Sequence, residues 1–353
     1  LILLYKNKMF KKFTFLESSI NSSETNIFFS NYQNLLRTIQ FEPFQENYQS
    51  VVDREINKAY LRVLVRYDTE LNKDLIKQIK KKIISTLGEN YKKYFITSNP
   101  YLLLHLPKDS YENGRYHTDI ASNTGHSITC WLPINNYSIE YSPLTVFPKS
   151  QDKFNLYILK ITSRISQKLF EIYANIFLKK FLIGAKPNKI FFWLDSTIHR
   201  GNYNFKEKIH SALTFKITEK KNPVEKSDLI LTENTKVSAS SFSKIEFLNN
   251  FREIKEFIEK NKENRFNQKK SIENLISSLK INKNSPQLNT IMGFATGVIG
   301  QRLFFSKFSK QTFLFNLISL NYIKYSNDNI YLKKTFGYLY LKNKLTNLDE
   351  LIK

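Results

Sequence analysis

The chain has 353 residues, 41 % of them hydrophobic, with 54 basic and 31 acidic side chains and a formal net charge of +23. That length suits one large domain with an appendage, or two domains. The charge is spread out: residues 1–220 hold 32 basic and 19 acidic side chains, and residues 221–353 hold 22 and 12.

Only ten of the basic side chains are Arg, the residue best suited to phosphates and base edges. The composition therefore argues against a dedicated nucleic-acid partner. Cys130 is the single cysteine, which excludes an internal disulfide and a cysteine-based zinc cluster and fits a reducing cytoplasm. No run of about 18 apolar residues is present to span a bilayer. The opening Leu1-Ile-Leu-Leu-Tyr is too short for a signal peptide, and Met9 is a candidate start.

In chain order, residues 9–58 read as a lead-in with one helix near 31–40. Residues 59–67 (AYLRVLVRY) are rich in β-formers and predict a strand. Residues 70–87 place Leu71, Leu75, Ile76, Ile79, Ile83 and Ile84 at helical spacing, and Gly88 follows as a stop. From 94 to 217 short apolar runs alternate with turn residues, predicting strands over 100–106, 126–132, 143–148, 189–195 and 210–217. One helix, about 155–179, interrupts them.

This pattern predicts an α+β chain with a double-stranded β-helix (jelly-roll) core and flanking helices over 9–220. Residues 221–245 are polar, contain Pro223 and suit a linker. Residues 246–353 predict a helical C-terminal appendage, charged and amphipathic over 246–281 and more apolar over 288–342. The glycines at 293, 297 and 300 would let helices approach closely. The C-terminal helices are also a candidate contact for a homo-oligomer.

All five histidines fall between residues 105 and 210. In Arg115-Tyr-His117-Thr-Asp119 an imidazole and a carboxylate are separated by one residue, and on a strand i and i+2 share a face. A third ligand must then come from a distant strand. His199, in Asp195-Ser-Thr-Ile-His199-Arg-Gly-Asn, follows a strand and precedes a turn. Two histidines and one carboxylate on one side of an ion leave positions open for a cosubstrate and O2, which is the facial triad of non-haem iron oxygenases.

Four pieces follow in order: Ser127-Ile-Thr-Cys-Trp131-Leu-Pro133, Pro143-Leu-Thr-Val-Phe-Pro148-Lys-Ser150, Ile190-Phe-Phe-Trp-Leu-Asp-Ser-Thr-Ile-His199-Arg-Gly-Asn, and Ser211-Ala-Leu-Thr-Phe-Lys-Ile. Over about 95–218 this succession resembles the phytanoyl-CoA dioxygenase-like enzymes, most closely the branch found in carbohydrate and antibiotic-sugar biosynthesis clusters. The resemblance implies a cytoplasmic Fe(II)/2-oxoglutarate-dependent dioxygenase that uses O2 on a small-molecule substrate. It implies His117, Asp119 and His199 as iron ligands, and Thr129 and Trp131 as lining of the cosubstrate pocket.

One position departs from the family. Eleven residues after the distal histidine the family has an Arg for the far carboxylate of 2-oxoglutarate, and this chain has His210. Lys208 and Lys216, of the same strand parity, and Arg115 are the other candidate anchors. Because position 119 is Asp, the halogenase pattern is excluded. His105, His126 and Trp193 read as structural. The competing classes are a catalytically degenerate jelly-roll that binds without turnover, a basic nucleic-acid modifying oxygenase, and a peripheral membrane enzyme resting on residues 288–320.

Overall fold

The structure is a computed structural model. It describes residues 15–19, 48–67, 94–96, 101–106, 115–119, 127–135, 144–184, 187–204, 209–219, 244–261, 286–305 and 309–325, with a few isolated positions between them. It is a mixed helix and sheet chain whose strands all pair antiparallel. Two compact units emerge, 1–38 with 71–225, and 39–70 with 226–353.

In the first unit, runs of β-branched and aromatic residues form nine strands among the described residues. These are β1 (Phe15–Ser19), β2 (Tyr94–Ile96), β3 (Tyr101–His105), β4 (Ser127–Pro133), β5 (Leu144–Phe147), β6 (Phe181–Leu182), β7 (Lys189–Leu194), β8 (Ile198–Gly201) and β9 (His210–Glu219). The larger sheet runs β1-β7-β4-β9-β2, with β3 also on β9, and the smaller runs β6-β5-β8. An isolated bridge between His117 and His199 adds the 115–119 segment to the edge of β8.

The sheets are joined by one apolar cluster. Trp131, Phe191, Trp193 and Ala212 of the larger sheet meet Leu144 and Val146 of the smaller one. The opposite face of the larger sheet is buried as well, through Ile128, Cys130, Ile190, Phe192, Phe215 and Ile217. Burial on both faces explains why β7 reads KIFFWL, an almost unbroken apolar run rather than an alternating one.

Helices α2 (Lys153–Ile165) and α3 (Gln167–Phe177) pack Leu159, Phe170 and Ala174 against Tyr116, Phe147 and Ile198. The sequence predicts one helix here, and the structure breaks it at Ser166. That residue ends α2 with its N–H on the Thr162 carbonyl, and its hydroxyl accepts from the Lys168 N–H to start α3.

In the second unit, residues 59–67 are helical, not a strand, as the end of α1 (Tyr48–Tyr67). Buried Val52, Ile56 and Ala59 follow helical spacing, and Leu61 and Val65 are buried on the other side, so tertiary packing overrides the local β-propensity. Glu55 accepts from Lys58 at 2.9 Å and Arg62 at 3.1 Å within the buried face. Thus residues 39–70 group with the C-terminal region, whereas the sequence reading placed them in a 9–220 domain.

The other described helices are α4 (Lys244–Asn261), α5 (Pro286–Phe305) and α6 (Ser309–Lys324). Gly293 lies against Ile323, and a Cβ on Gly300 would collide with the Asn316 side chain, so α5 and α6 pair closely and antiparallel along the glycine face. Residues 290–300 are buried throughout. Among the described residues no helix is long and apolar enough to cross a membrane. The expected linker over 221–245 lies almost wholly outside the described residues, as do most of the helices expected near 31–40 and over 70–87.

Candidate metal centre

His117 and His199 are directly opposed on neighbouring extended segments. Each backbone N–H donates to the other's carbonyl at 3.0 Å, a pairing that puts both side chains on one face. Their rings lie 4.4 Å apart. Tyr116 and Ile198, one residue earlier on each segment, point the other way into the cluster under α2 and α3. The alternation expected of a strand therefore holds, and Asp119 returns to the face of His117. Its N–H is fixed by the Asp195 carbonyl at 2.9 Å.

The three side chains converge. One ligand atom from each of His117, Asp119 and His199 lies within 4.8 Å of the others. The Nε2 of His117 is 3.9 Å from Asp119 Oδ1, and that of His199 is 3.7 Å from Oδ2. Each imidazole is tethered at its other nitrogen: Nδ1 of His117 is 2.6 Å from the Arg115 carbonyl, and Nδ1 of His199 is 2.9 Å from the Thr197 carbonyl. A carbonyl only accepts, so each ring donates from Nδ1, which leaves Nε2 on the Asp119 side as the nitrogen a metal would meet.

The larger sheet completes the site. Thr129 on β4 and Lys216 on β9 are register partners. Thr129 Oγ1 donates to Asp119 Oδ2 at 3.0 Å, and Lys216 Nζ donates to the same oxygen at 2.5 Å and to Thr129 Oγ1 at 2.6 Å. Trp193 packs its ring 5.5 Å from His199. Burial alone would raise the Asp119 pKa, but the Lys216 ammonium and the two imidazoles hold it well below the usual carboxylate range. Burial pushes the His199 imidazole down to about 4, against a smaller upward pull from Asp119. At neutral pH the site thus offers an ionised carboxylate and a neutral buried imidazole, the states in which both groups bind metal.

The turn after β5 holds the start of β8. The Ser150 hydroxyl accepts from the Ile198 N–H at 2.8 Å, and Gln151 Nε2 donates to Thr197 Oγ1 at 2.9 Å. After the histidine, Asn202 Oδ1 accepts from Thr145 Oγ1 at 2.9 Å, and Asn204 Nδ2 donates to the His105 carbonyl at 2.9 Å. Serine of the Pro-x-Ser turn and asparagine of the His-Arg-Gly-Asn run therefore brace His199 and the strands around it.

The remaining candidates divide. Lys216 and Thr129 stand at the triad. Arg115 is exposed and contributes its carbonyl. Trp131 packs in the core 5.9 Å from Phe191, and Trp193 is likewise core. His210 is buried and sits opposite His105 across β3 and β9. It lies six residues from Lys216, roughly 20 Å along the strand. Lys208 and His126 fall outside the described residues. Sequence reasoning did not find the backbone contact from Asp195 to Asp119 or the role of Gln151. Neither has a signal in residue type alone.

No protein-family model matches the chain, and no curated protein matches it. Solved structures do show similarity. The non-heme alpha ketoglutarate dependent carbocyclase SnoK from nogalamycin biosynthesis is 11 % identical, with 60 % of this chain and 82 % of that chain covered and a TM-score of 0.39. HygX from Streptomyces hygroscopicus, solved with nickel and 2-oxoglutarate bound, gives 11 %, 60 %, 85 % and 0.38. EctD from S. alaskensis, solved with 2-oxoglutarate and 5-hydroxyectoine, gives 14 %, 60 %, 74 % and 0.34. Identities and TM-scores this low leave the functional reading to the geometry of the site.

Proposed function

We propose that this chain is a non-haem Fe(II)/2-oxoglutarate-dependent dioxygenase built on a double-stranded β-helix and acting on a small molecule. The observation that carries the reading is the convergence of two carbonyl-tethered imidazoles and one carboxylate. A two-histidine, one-carboxylate set with further positions open suits Fe(II). The strand order supports the fold. Counting the bridged segment at His117 as a strand, the chain from β3 to β9 visits the sheets in the order large, small, large, small, small, large, small, large. This order supports the winding of a jelly roll.

In this reading His117, Asp119 and His199 hold the iron. Iron(II) bound there with 2-oxoglutarate and O2 supplies oxidative decarboxylation to succinate and CO2, coupled to hydroxylation of the substrate. The protein's own part is positional. The Arg115 and Thr197 carbonyls fix the rings, and Thr129 and Lys216 fix the carboxylate. Trp193 and the cluster beneath it exclude water from one side of His199.

Lys216 also places a permanent positive charge beside the triad, which favours an anionic cosubstrate. In this reading Lys216, rather than His210, is the candidate anchor for the far carboxylate of 2-oxoglutarate. The Lys-rich, Arg-poor composition supports a small-molecule substrate over nucleic acid, and the order of the four flanking pieces favours a sugar or a related biosynthetic intermediate. The single buried thiol, Cys130, suits a cytoplasmic setting.

A second reading, a degenerate jelly-roll that binds without turnover, is favoured by the Lys216 ammonium on the Asp119 carboxylate. Succinate release from 2-oxoglutarate, measured with and without Fe(II) for the native chain and for His117→Ala, separates the two. Iron-dependent succinate that disappears in the variant supports the dioxygenase. Iron retention without succinate under any substrate pool supports the binding protein.

A further inference from the structure

The outer face of α2 and α3 presents large apolar side chains to solvent. Phe154, Tyr157, Ile165, Ile172, Ile176 and Phe177 are each 57–73 % exposed. Their spacing by three and four residues, filled in by Ile161 and Leu169, makes a stripe along each helix. Ring contacts from Phe154 to Tyr173 at 6.4 Å and from Tyr173 to Phe177 at 5.1 Å join the stripes. The inner faces are already used against Tyr116, Phe147 and Ile198. Both helices are therefore apolar on two sides, and the outer side is more apolar than core packing requires. A contiguous exposed face of this kind marks an interaction surface.

Charge identifies the occupant. Lys153, Lys160, Lys168, Lys179 and Lys180 are exposed in and beside the same helices. The two acidic residues of the segment are engaged elsewhere: Asp152 caps α2 through the Asn155 N–H, and Glu171 pairs with Arg200 at 3.0 Å. A symmetric second copy would bring two identical lysine sets together across the contact and repel. Apolar side chains flanked by lysines, whose long stems let the ammonium groups stay in water, instead match the boundary of an anionic bilayer. We infer that the outer face of α2 and α3 seats this protein on an anionic lipid surface. The helices lie in the interface and do not span it. The same two helices back the segments that carry His117 and His199, on the face turned away from the metal ligands. This inference is independent of the reaction assigned to that centre.

The test is flotation of the full chain with phosphatidylcholine vesicles, with and without phosphatidylserine, at low and high salt. Binding is expected to the anionic vesicles alone and to weaken with salt. Each lysine near an anionic surface contributes roughly fivefold. Lys168→Gln/Lys179→Gln/Lys180→Gln should therefore lose affinity by roughly a hundredfold, with the melting temperature unchanged. Ile165→Ser/Ile172→Ser/Ile176→Ser should lose at least about tenfold.

No binding to either vesicle overturns the inference. So does binding that the isoleucine variant retains in full, because it would then arise from the general charge of the chain. If the isoleucine variant instead abolishes a concentration-dependent dimer, the face belongs to a second copy. If that variant melts lower and the native chain leaves vesicles alone, the face is covered by another segment of this chain.

Discussion

Lys216 on β9 donates to the Asp119 carboxylate at 2.5 Å, across 97 residues of sequence. A charged pair at the edge of a ligand set does two opposite things. It keeps the carboxylate ionised and aimed, and it competes with a cation for the same oxygen.

The first prediction follows from this pair. In Lys216→Met a divalent ion should bind the triad more tightly in the absence of anions, by about tenfold, because the ammonium no longer repels it or holds Asp119. Binding of 2-oxoglutarate to the metal-loaded chain should weaken by about tenfold or more. The coupling between metal and dianion, which is reciprocal, should shrink accordingly. Calorimetric titration with Mn(II), with and without 2-oxoglutarate, measures both. Unchanged coupling would remove Lys216 from the cosubstrate's surroundings.

A second prediction concerns acid. His199 protonates near pH 6.5 when unfolded but only near 4 when folded. Between those values the unfolded chain binds more protons, so stability falls as pH drops through the window. Asp119 acts in the same direction lower down: its folded pKa is depressed, so its contribution is present above the unfolded value near 3.8 and is lost as pH falls below it. The His199 part amounts to at most about 3 kcal/mol. Urea melts of the metal-free chain at pH 7, 5.5 and 4.5 should show the decline, and His199→Gln should flatten it.

A third prediction tests the brace on His199. Ser150→Ala removes the acceptor of the buried Ile198 N–H, which should cost about 1–3 kcal/mol in thermal unfolding. Metal affinity should also fall, by about tenfold, because the strand that carries His199 loses its anchor. A melt shift with metal affinity unchanged would make the contact purely structural.

Half of the site was legible in the sequence. The i, i+2 spacing of His117 and Asp119 gives a shared face on any extended segment. The strand runs over 100–106, 126–132, 143–148, 189–195 and 210–217 agree with β3, β4, β5, β7 and β9 to within two residues, because each is apolar and bounded by turn residues. The opposition of His117 to His199 spans 82 residues, so it depends on sheet pairing that one sequence does not display, and the resemblance supplied it instead.

Lys216 was visible as a parity match on its strand, but its partner was not. The α1 stretch misled because Val, Leu and Tyr in 59–67 favour strands locally, while the helical stripe needs Val52 and Ile56 to become visible. β1, β2, β6 and β8 are two to five residues each, too short for a pattern of their own, and are fixed by their neighbours.

The most direct measurement is anaerobic titration of the purified chain with Fe(II) and then 2-oxoglutarate, followed by visible absorption and metal analysis. The account predicts one iron per native chain and a weak charge-transfer band that appears only with 2-oxoglutarate. In His117→Ala, whose altered side chain is about half exposed and should leave the fold intact, both should be lost. Equal iron retention by the native chain and the variant, or none by either, would contradict it.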